Sequence, residues 1–351
     1  MIDELVLHIG MPKTGTTSIQ RALNAVKTGE DWTYLDLNPP HSANPVVLRA
    51  HGRIAPVAIH AGPLEAQSPM DARNHITDAL YAVRTPRAIL SAEAMLRLPA
   101  AAVTSLLDHL NRHARSISAV AFIRPPLSFV TSYVQQFYKT GHAPIADVLR
   151  RATRPYSADI AMWDQALGAE NVRLFPFERD ALAGGSVVQH FAEALDLGPL
   201  PEQGRDANIS LCDEATRLLV QYRRKYPARH PGDGRILACL STLEGAPFRM
   251  HPDLLAGALD MARATGPWAQ ARMGWTFEEP EPHATPRALR GDTDFDDILP
   301  ETRDWLVAQS GQAKRALRTG PDAYADAVRS FGQQQRVPTA LARFAKRLRR
   351  A

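Results

Sequence analysis

Cysteine is scarce in this sequence. Only Cys212 and Cys239 occur among 351 residues, and their spacing is not that of a metal site. A disulfide framework and a zinc site built on cysteine pairs are thereby excluded. Long apolar runs are also missing, since none approaches the ~20 residues that cross a bilayer. The first residues lack a basic stretch followed by an apolar core, the mark of a secretory signal. Charge of one sign is not in excess: 41 Lys and Arg against 37 Asp and Glu leave a formal net charge of +4. That mild balance suits an anionic small molecule and speaks against a dedicated nucleic-acid binder. Internal repeats and low-complexity linkers are absent. With 45% apolar residues the chain can build a full core, and the expectation is a soluble, cytoplasmic protein with no transmembrane segment.

What the sequence does contain is a concentrated stretch near its start, Leu5 to Leu23. Leu5, Val6, Leu7 and Ile9 make a short apolar run fit for a buried parallel strand. Gly10-Met11-Pro12-Lys13-Thr14-Gly15-Thr16-Thr17-Ser18 follows, and then Ile19 and Leu23 mark one face of a helix. Strand, glycine-bounded loop and helix aim backbone N–H groups and the positive end of a helix dipole at an anion. Lys13 adds a mobile positive charge, and the three threonines and Ser18 add short donors. The plain alternative is a tight strand-to-helix turn with incidental polar residues. Gly10, Gly15 and Thr17 match a Walker loop, G-x-x-x-x-G-K-[ST], but Thr16 stands where its lysine belongs. That departure argues against a nucleoside triphosphatase.

Pro12-Lys13-Thr14-Gly15-Thr16-Thr17 after a strand resembles the sulfonate-donor loop of the sulfotransferases. These enzymes move a sulfonate group from 3′-phosphoadenosine 5′-phosphosulfate (PAPS) to a hydroxyl or amine. The resemblance implies a P-loop-type α/β fold, a parallel sheet flanked by helices. It also demands a second signature, a strand-end arginine with a serine about eight residues on that holds the 3′-phosphate. Ser118 to Ile123 reads as a buried strand running into Arg124-Pro125-Pro126. Proline at 125 keeps Arg124 extended, and Pro126 suits the first position of a helix. On that helix Leu127, Val130, Val134 and Phe137 share an apolar face, with Ser128, Ser132 and Gln135 on a polar stripe. Arg124 and Ser132 stand eight apart, as the second signature requires.

Other segments fill in the pattern. Trp32 to Leu37 has strand propensity and ends in a turn-rich loop with His41. His41, His51 and His60 are candidates for a polar site, though a lone histidine is more often structural. In the resembled family the loop after the second strand faces the acceptor, which singles out His41. Asp71 to Val83 reads as a helix and Arg87 to Leu90 as a short buried strand. Ser91 to Leu96 reads as the start of a helix with Ser91 as its N-cap. Glu93 in that first turn is either a complement to the helix dipole or a general base at the carboxyl end of a parallel strand. Strand followed by Ser-Ala-Glu resembles bacterial and carbohydrate sulfotransferases. Ala100 to Ala114 reads as a helix, Asn171 to Glu178 as the last parallel strand with Glu178 structural, and Val187 to Leu195 as a helix.

Past Leu200 the parallel pattern fades, so residues 1–200 are expected to form the PAPS-binding core and 201–351 a mostly helical portion covering the acceptor side. Asp213 to Tyr226, Leu254 to Ala264 and Asp304 to Leu317 read as helices, and Gly291 to Pro300 as an acidic loop. By resemblance, a basic segment late in the chain closes over the cofactor. Arg205 is its candidate, against a solvated loop arginine. The basic tail, Ala340 to Ala351, is either a solvated terminal helix or a contact for an anionic membrane or acceptor.

The resemblance implies PAPS as donor and no metal, with a small-molecule or glycan acceptor. Lys13 stabilises charge on the leaving oxygen, residues 12–17 with Arg124, Ser132 and Arg205 hold the donor, and Glu93 or His41 takes the acceptor's proton. Two other readings stand beside it. A P-loop kinase needs a Walker lysine at position 16 and a strand-end aspartate for magnesium, where the sequence has Thr16 and Arg124. A non-catalytic protein of the same fold needs no base.

Overall fold

The computed structural model describes residues 1–37, 43–52, 68–202, 210–228, 230–279, 281–282, 284–310 and 320–333. His41, His60, Arg205 and the basic tail lie outside these residues. The apolar run near the start forms β1 (Ile2–Gly10), whose residues from Leu5 to Gly10 are all buried. Burial on both faces is what a continuous apolar run predicts for a central parallel strand. The other strands are β2 (Trp32–Tyr34), β3 (Arg87–Ser91), β4 (Ala114–Ile123) and β5 (Val172–Pro176). Every pairing is parallel, and the order across the sheet is β2-β3-β1-β4-β5. The fold class is therefore the expected α/β sheet flanked by helices. β1 lies at the centre, and the chain builds first on one side of it and then on the other. Open α/β sheets bind ligands at such a switch point, outside the carboxyl ends of the strands.

Helices connect these strands: α1 (Thr16–Val26), α2 (Asn44–His51), α3 (Pro69–Ala82), α4 (Ala100–Leu110), α5 (Pro126–Thr140), α6 (Ile145–Ala152), α7 (Tyr156–Leu167) and α8 (Val187–Ala194). After them come α9 (Asp213–Lys225), α10 (Asp233–Leu240), α11 (Ala256–Met273), α12 (Pro300–Ser310) and α13 (Pro321–Gln333). α3 starts where the sequence supplies a capping box: Ser68 accepts from the Asp71 N–H, and the Asp71 carboxylate accepts from the Ser68 N–H. α1 packs on α8, and Ile19, Leu23, Val188 and Phe191 join Val6, Ile89 and Phe122 in one apolar cluster.

Contacts group the chain into two compact units. The first comprises Met1–Pro125, Pro155–Gln203 and Ala264–Glu278, and contains the sheet. The second comprises Pro126–Arg154, Gly204–Arg263 and Glu279–Ala351. Two segments, 126–154 and 264–278, thus group with chain from the other side of residue 200.

In the second unit α9 is almost wholly buried despite its polar sequence. Arg217 and Arg223 are each 1% exposed and must be paired. Arg217 donates to Asp213 at 2.8 Å and to the Arg287 carbonyl at 2.7 Å; Arg223 pairs with Asp233 at 2.9 Å and donates to the Lys139 carbonyl. The acidic stretch at 291–300 is likewise structural. It contains a short 3-10 turn, Asp292–Asp296, with Asp296 on Arg224 and Asp297 on Arg287. Gln135 departs from the expected polar stripe of α5: it is buried and donates to the Leu211 carbonyl at 2.9 Å.

Candidate active site

The loop between β1 and α1 is shaped by two glycines that cannot be replaced without strain. Gly15 has φ +76°, and a Cβ there would lie 2.6 Å from the Val187 side chain. Gly10 has φ +131°, and a Cβ would lie 2.9 Å from the Glu93 carbonyl oxygen. Real Cβ atoms do not approach so closely, so the loop backbone packs directly on α8 and on the chain leaving β3. Lys13 itself has φ 70°. A left-handed conformation is costly for a residue with a side chain, and such outliers gather at functional sites.

The loop threonines divide their work. Thr14 and Thr16 are buried, and their hydroxyls donate to the Met11 carbonyl at 2.7 and 3.3 Å. Thr14 fixes the loop from inside, while the Thr16 hydroxyl is shared between the Met11 carbonyl and the Glu93 carboxyl. Thr17 is exposed, while Pro12 and Lys13 are half-buried. Gly15 is the N-cap of α1 and contributes no side-chain cap. The first N–H groups of a helix have no acceptor within it, so this end of α1 suits an anion.

Two strands flanking β1 bring charged groups to the loop. Arg124 follows the last residue of β4, as the proline pattern predicts. Its Nη1 donates to the Lys13 carbonyl at 2.9 Å, its backbone N–H meets Met11 Sδ at 3.4 Å, and its guanidinium lies 5.8 Å from the Phe177 ring centre. Burial lowers the Arg124 pKa, and the nearby Tyr156 partly opposes this. From the other side, Glu93 opens the 3-10 helix Glu93–Arg97 that follows β3. Its carboxyl pKa is raised, chiefly by burial, while the Lys13 charge and a hydrogen bond with Thr16 pull it down. Glu93, Lys13 and Arg124 thus gather around one loop at the carboxyl ends of three adjacent strands, β3, β1 and β4.

Ser91 is a correction. It is not an N-cap: it ends β3 and is fully buried, and Ala92 holds the cap position. Its hydroxyl is shared by His8 Nδ1 at 2.8 Å and Gln20 Nε2 at 3.1 Å. This buried triad ties β1, β3 and α1 together under the loop. Burial holds His8 neutral, with its pKa pushed down to about 3. Sequence reading missed His8, Gln20, Met11 and Phe177. A histidine inside an apolar strand and an aromatic just past β5 were the available signals.

Ser132 lies on α5, half-buried, and α5 belongs to the second unit, whereas Arg124 belongs to the first. His51 sits at the end of α2, bonded to Ser105 and His109. Glu178 is structural as expected, accepting from Trp275 Nε1 at 2.6 Å and from the Glu278 N–H at 3.2 Å. Among the described residues no group of three or more His, Cys, Asp or Glu could hold a metal ion, and no helix is long and apolar enough to cross a membrane.

No protein-family model matches the chain, and no curated protein matches it. Among solved structures, a sulfotransferase from Alicyclobacillus acidocaldarius is similar to it, at 14% sequence identity and a TM-score of 0.43. The match covers 78% of this chain and 96% of that one.

Proposed function

We propose that this chain is a sulfotransferase, moving a sulfonate group from PAPS to a hydroxyl or amine of a small-molecule or glycan acceptor. The reading is carried by the convergence of Glu93, the Lys13 loop and Arg124 at the ends of three adjacent strands. The donor set fits an anion with two phosphate-like ends. The start of α1 and the Lys13 ammonium form one cationic centre, and the Arg124 guanidinium forms another beside it. PAPS, when bound, supplies an activated sulfonate on a phosphate leaving group. Residues 12–17 hold the phosphosulfate end, and Lys13 sets a positive charge where negative charge develops during transfer. Arg124 grips the 3′-phosphate, with Ser132 and Arg205 as further contacts by sequence resemblance.

Glu93 is the base in this proposal. A carboxylate whose pKa is raised toward the working pH accepts a proton more effectively than a solvated one. His41 is the second candidate for that proton. The kinase reading finds less support: the place of the Walker lysine holds Thr16, buried with its hydroxyl on the Met11 carbonyl.

A thermal-shift comparison tests the donor. ADP 3′-phosphate is expected to stabilise the protein more than ATP with magnesium. The reverse order would favour a nucleotide phosphotransferase and overturn the proposal. Turnover with PAPS across hydroxyl and amine acceptors then separates an enzyme from a binding protein.

A further inference from the structure

A second cationic site lies toward the amino end of β1, whereas the loop follows its carboxyl end. There α2, α3 and α4 surround a cavity of about 650 Å³. Its place is fixed by His113, whose carbonyl accepts the Ile2 N–H at the start of β1. Arg73, Arg112 and His113 face this cavity, and Asp108 is the sole carboxylate among its described lining residues. Arg112 and His113, with Tyr81, also line an adjoining hollow of about 460 Å³ that adds Arg84 and Met1.

Behind these groups runs a hydrogen-bonded relay. His51 Nδ1 meets Ser105 Oγ at 3.1 Å, His51 Nε2 meets His109 Nδ1 at 3.1 Å, and His109 Nε2 meets Thr77 Oγ1 at 2.8 Å. In the contact between the two rings one nitrogen donates and the other accepts. Burial and the neighbouring Arg73 charge lower the pKa of both rings, His51 to about 3, so this pair disfavours protonation. His113 is not part of the relay. It lies edge-on to His109 at 5.8 Å and to Tyr81 at 5.1 Å, and is the histidine able to take up a proton.

We propose that this cavity binds a small organic anion, a phosphate or sulfate ester, through Arg73, Arg112 and His113. Its volume falls in the range of small-molecule sites, roughly 300–1,000 Å³, and exceeds what a bare oxyanion fills. Tyr81 and Met70, at 68% and 61% among the most exposed large apolar residues, line the cavity and offer a surface for the body of the ester. The groups facing His113 are Asp108 and His109 from α4, Tyr81 from α3, and Arg112, Arg84 and Met1 around the adjoining hollow. Burial and the Arg112 charge lower the His113 pKa, and a bound anion reverses the second of these effects. Binding therefore takes up a proton at pH values between the free and bound pKa of His113. Across that window affinity increases as pH falls, and below it the dependence flattens.

Phenyl sulfate is the first probe, because its charge is constant across the histidine range. The His113 and His109 imidazole Cε1–H signals, assigned with His113→Gln and His109→Gln, are followed by NMR as the probe is added. The expected result is movement of both signals, a rise in the His113 pKa and affinity about tenfold tighter per pH unit for one proton taken up. Arg73→Ala with Arg112→Ala, both exposed positions, is expected to remove the response. Phenyl phosphate serves as the second arm, and the tighter of the two esters identifies the head group. Static signals, or equal shifts in the double variant, overturn the site. Inorganic sulfate binding as tightly as phenyl sulfate overturns the assignment to an ester.

Discussion

Arg124 Nη1 donates to the main-chain carbonyl of Lys13 at 2.9 Å. The strand-end arginine therefore does more than present a charge: it braces the backbone of the residue that carries the other cation. Arg124→Ala is expected to weaken ADP 3′-phosphate binding by about 2–5 kcal/mol, the usual loss when one partner of a charge-assisted contact is truncated. ADP is expected to lose less, through the loosened loop alone. Calorimetry on the two nucleotides checks this, and equal losses would remove the 3′-phosphate role from Arg124.

Lys13→Ala is expected to raise the transfer barrier by about 2–4 kcal/mol, the worth of one charge-stabilising donor, while the protein stays folded. The left-handed backbone at Lys13, φ 70°, adds a control. Glycine adopts that conformation without steric cost, so Lys13→Gly is expected to unfold at no lower temperature than Lys13→Ala and to be equally inactive. Transfer within about threefold of wild type in either variant would mean that the loop is not the donor site.

Sequence reading reached the parts of the site that are local. The run from Leu5 to Ile9, the glycines at 10 and 15, and the Arg-Pro-Pro turn each carry a steric or periodic signal within a few residues. It failed at Ser91, whose hydroxyl partners, His8 and Gln20, come from segments 83 and 71 residues away. A serine before a helix-like run reads as a cap unless those partners are known. Gln135 failed for the same reason: Leu211, whose carbonyl it meets, is 76 residues on. The buried arginines of α9 were illegible too: Arg217 has Asp213 one turn away, but the Arg287 carbonyl it also meets, and the Asp233 carboxylate and Lys139 carbonyl that Arg223 meets, lie outside the helix.

Gly15→Ala tests the packing of the loop. A residue with a side chain at a left-handed position costs about 1–3 kcal/mol, and here the new methyl group also meets Val187 at 2.6 Å. Denaturant unfolding is expected to show a loss of at least that size. Adding Val187→Ala makes room for the methyl group but leaves the backbone strain, so it is expected to recover only part of the loss. Full recovery would mean that φ at Gly15 is not a constraint.

Buried neutral histidine gives the fold a defined acid response. Burial pushes His8 down from 6.5 to about 3, so the unfolded chain binds the extra proton between those values and the folded chain does not. The stabilisation is complete above pH 6.5 and is lost as pH falls toward 3. One such group contributes a slope of about 1.4 kcal/mol per pH unit. His8→Gln keeps a polar group near Ser91 but cannot charge. Its unfolding free energy, followed from neutral into acid, is expected to fall less steeply than that of wild type; parallel slopes would show that His8 titrates alike in both states.

Glu93 separates function from stability most sharply. Its pKa is raised, with burial outweighing the Lys13 charge and the Thr16 hydrogen bond. A raised folded-state pKa means that the stabilisation belongs to the protonated form, complete below the unfolded value and lost as pH rises through the folded one. Ionising this carboxyl therefore comes at a cost to stability, as is often so for groups kept for chemistry. Glu93→Gln keeps the size and the hydrogen-bonding capacity and removes the charge. The variant is expected to be at least as stable as wild type at neutral pH, to bind ADP 3′-phosphate normally, and to lose transfer by roughly 10²–10⁴-fold, the worth of a general base. Wild-type transfer is expected to fall in acid as Glu93 protonates, and this limb should vanish from the residual activity of the variant. A purely structural Glu93 makes the opposite forecast: lower stability in the variant, with transfer and its acid limb intact. His41→Ala is the paired measurement, and loss of transfer there with activity retained in Glu93→Gln would move the base to the loop after β2.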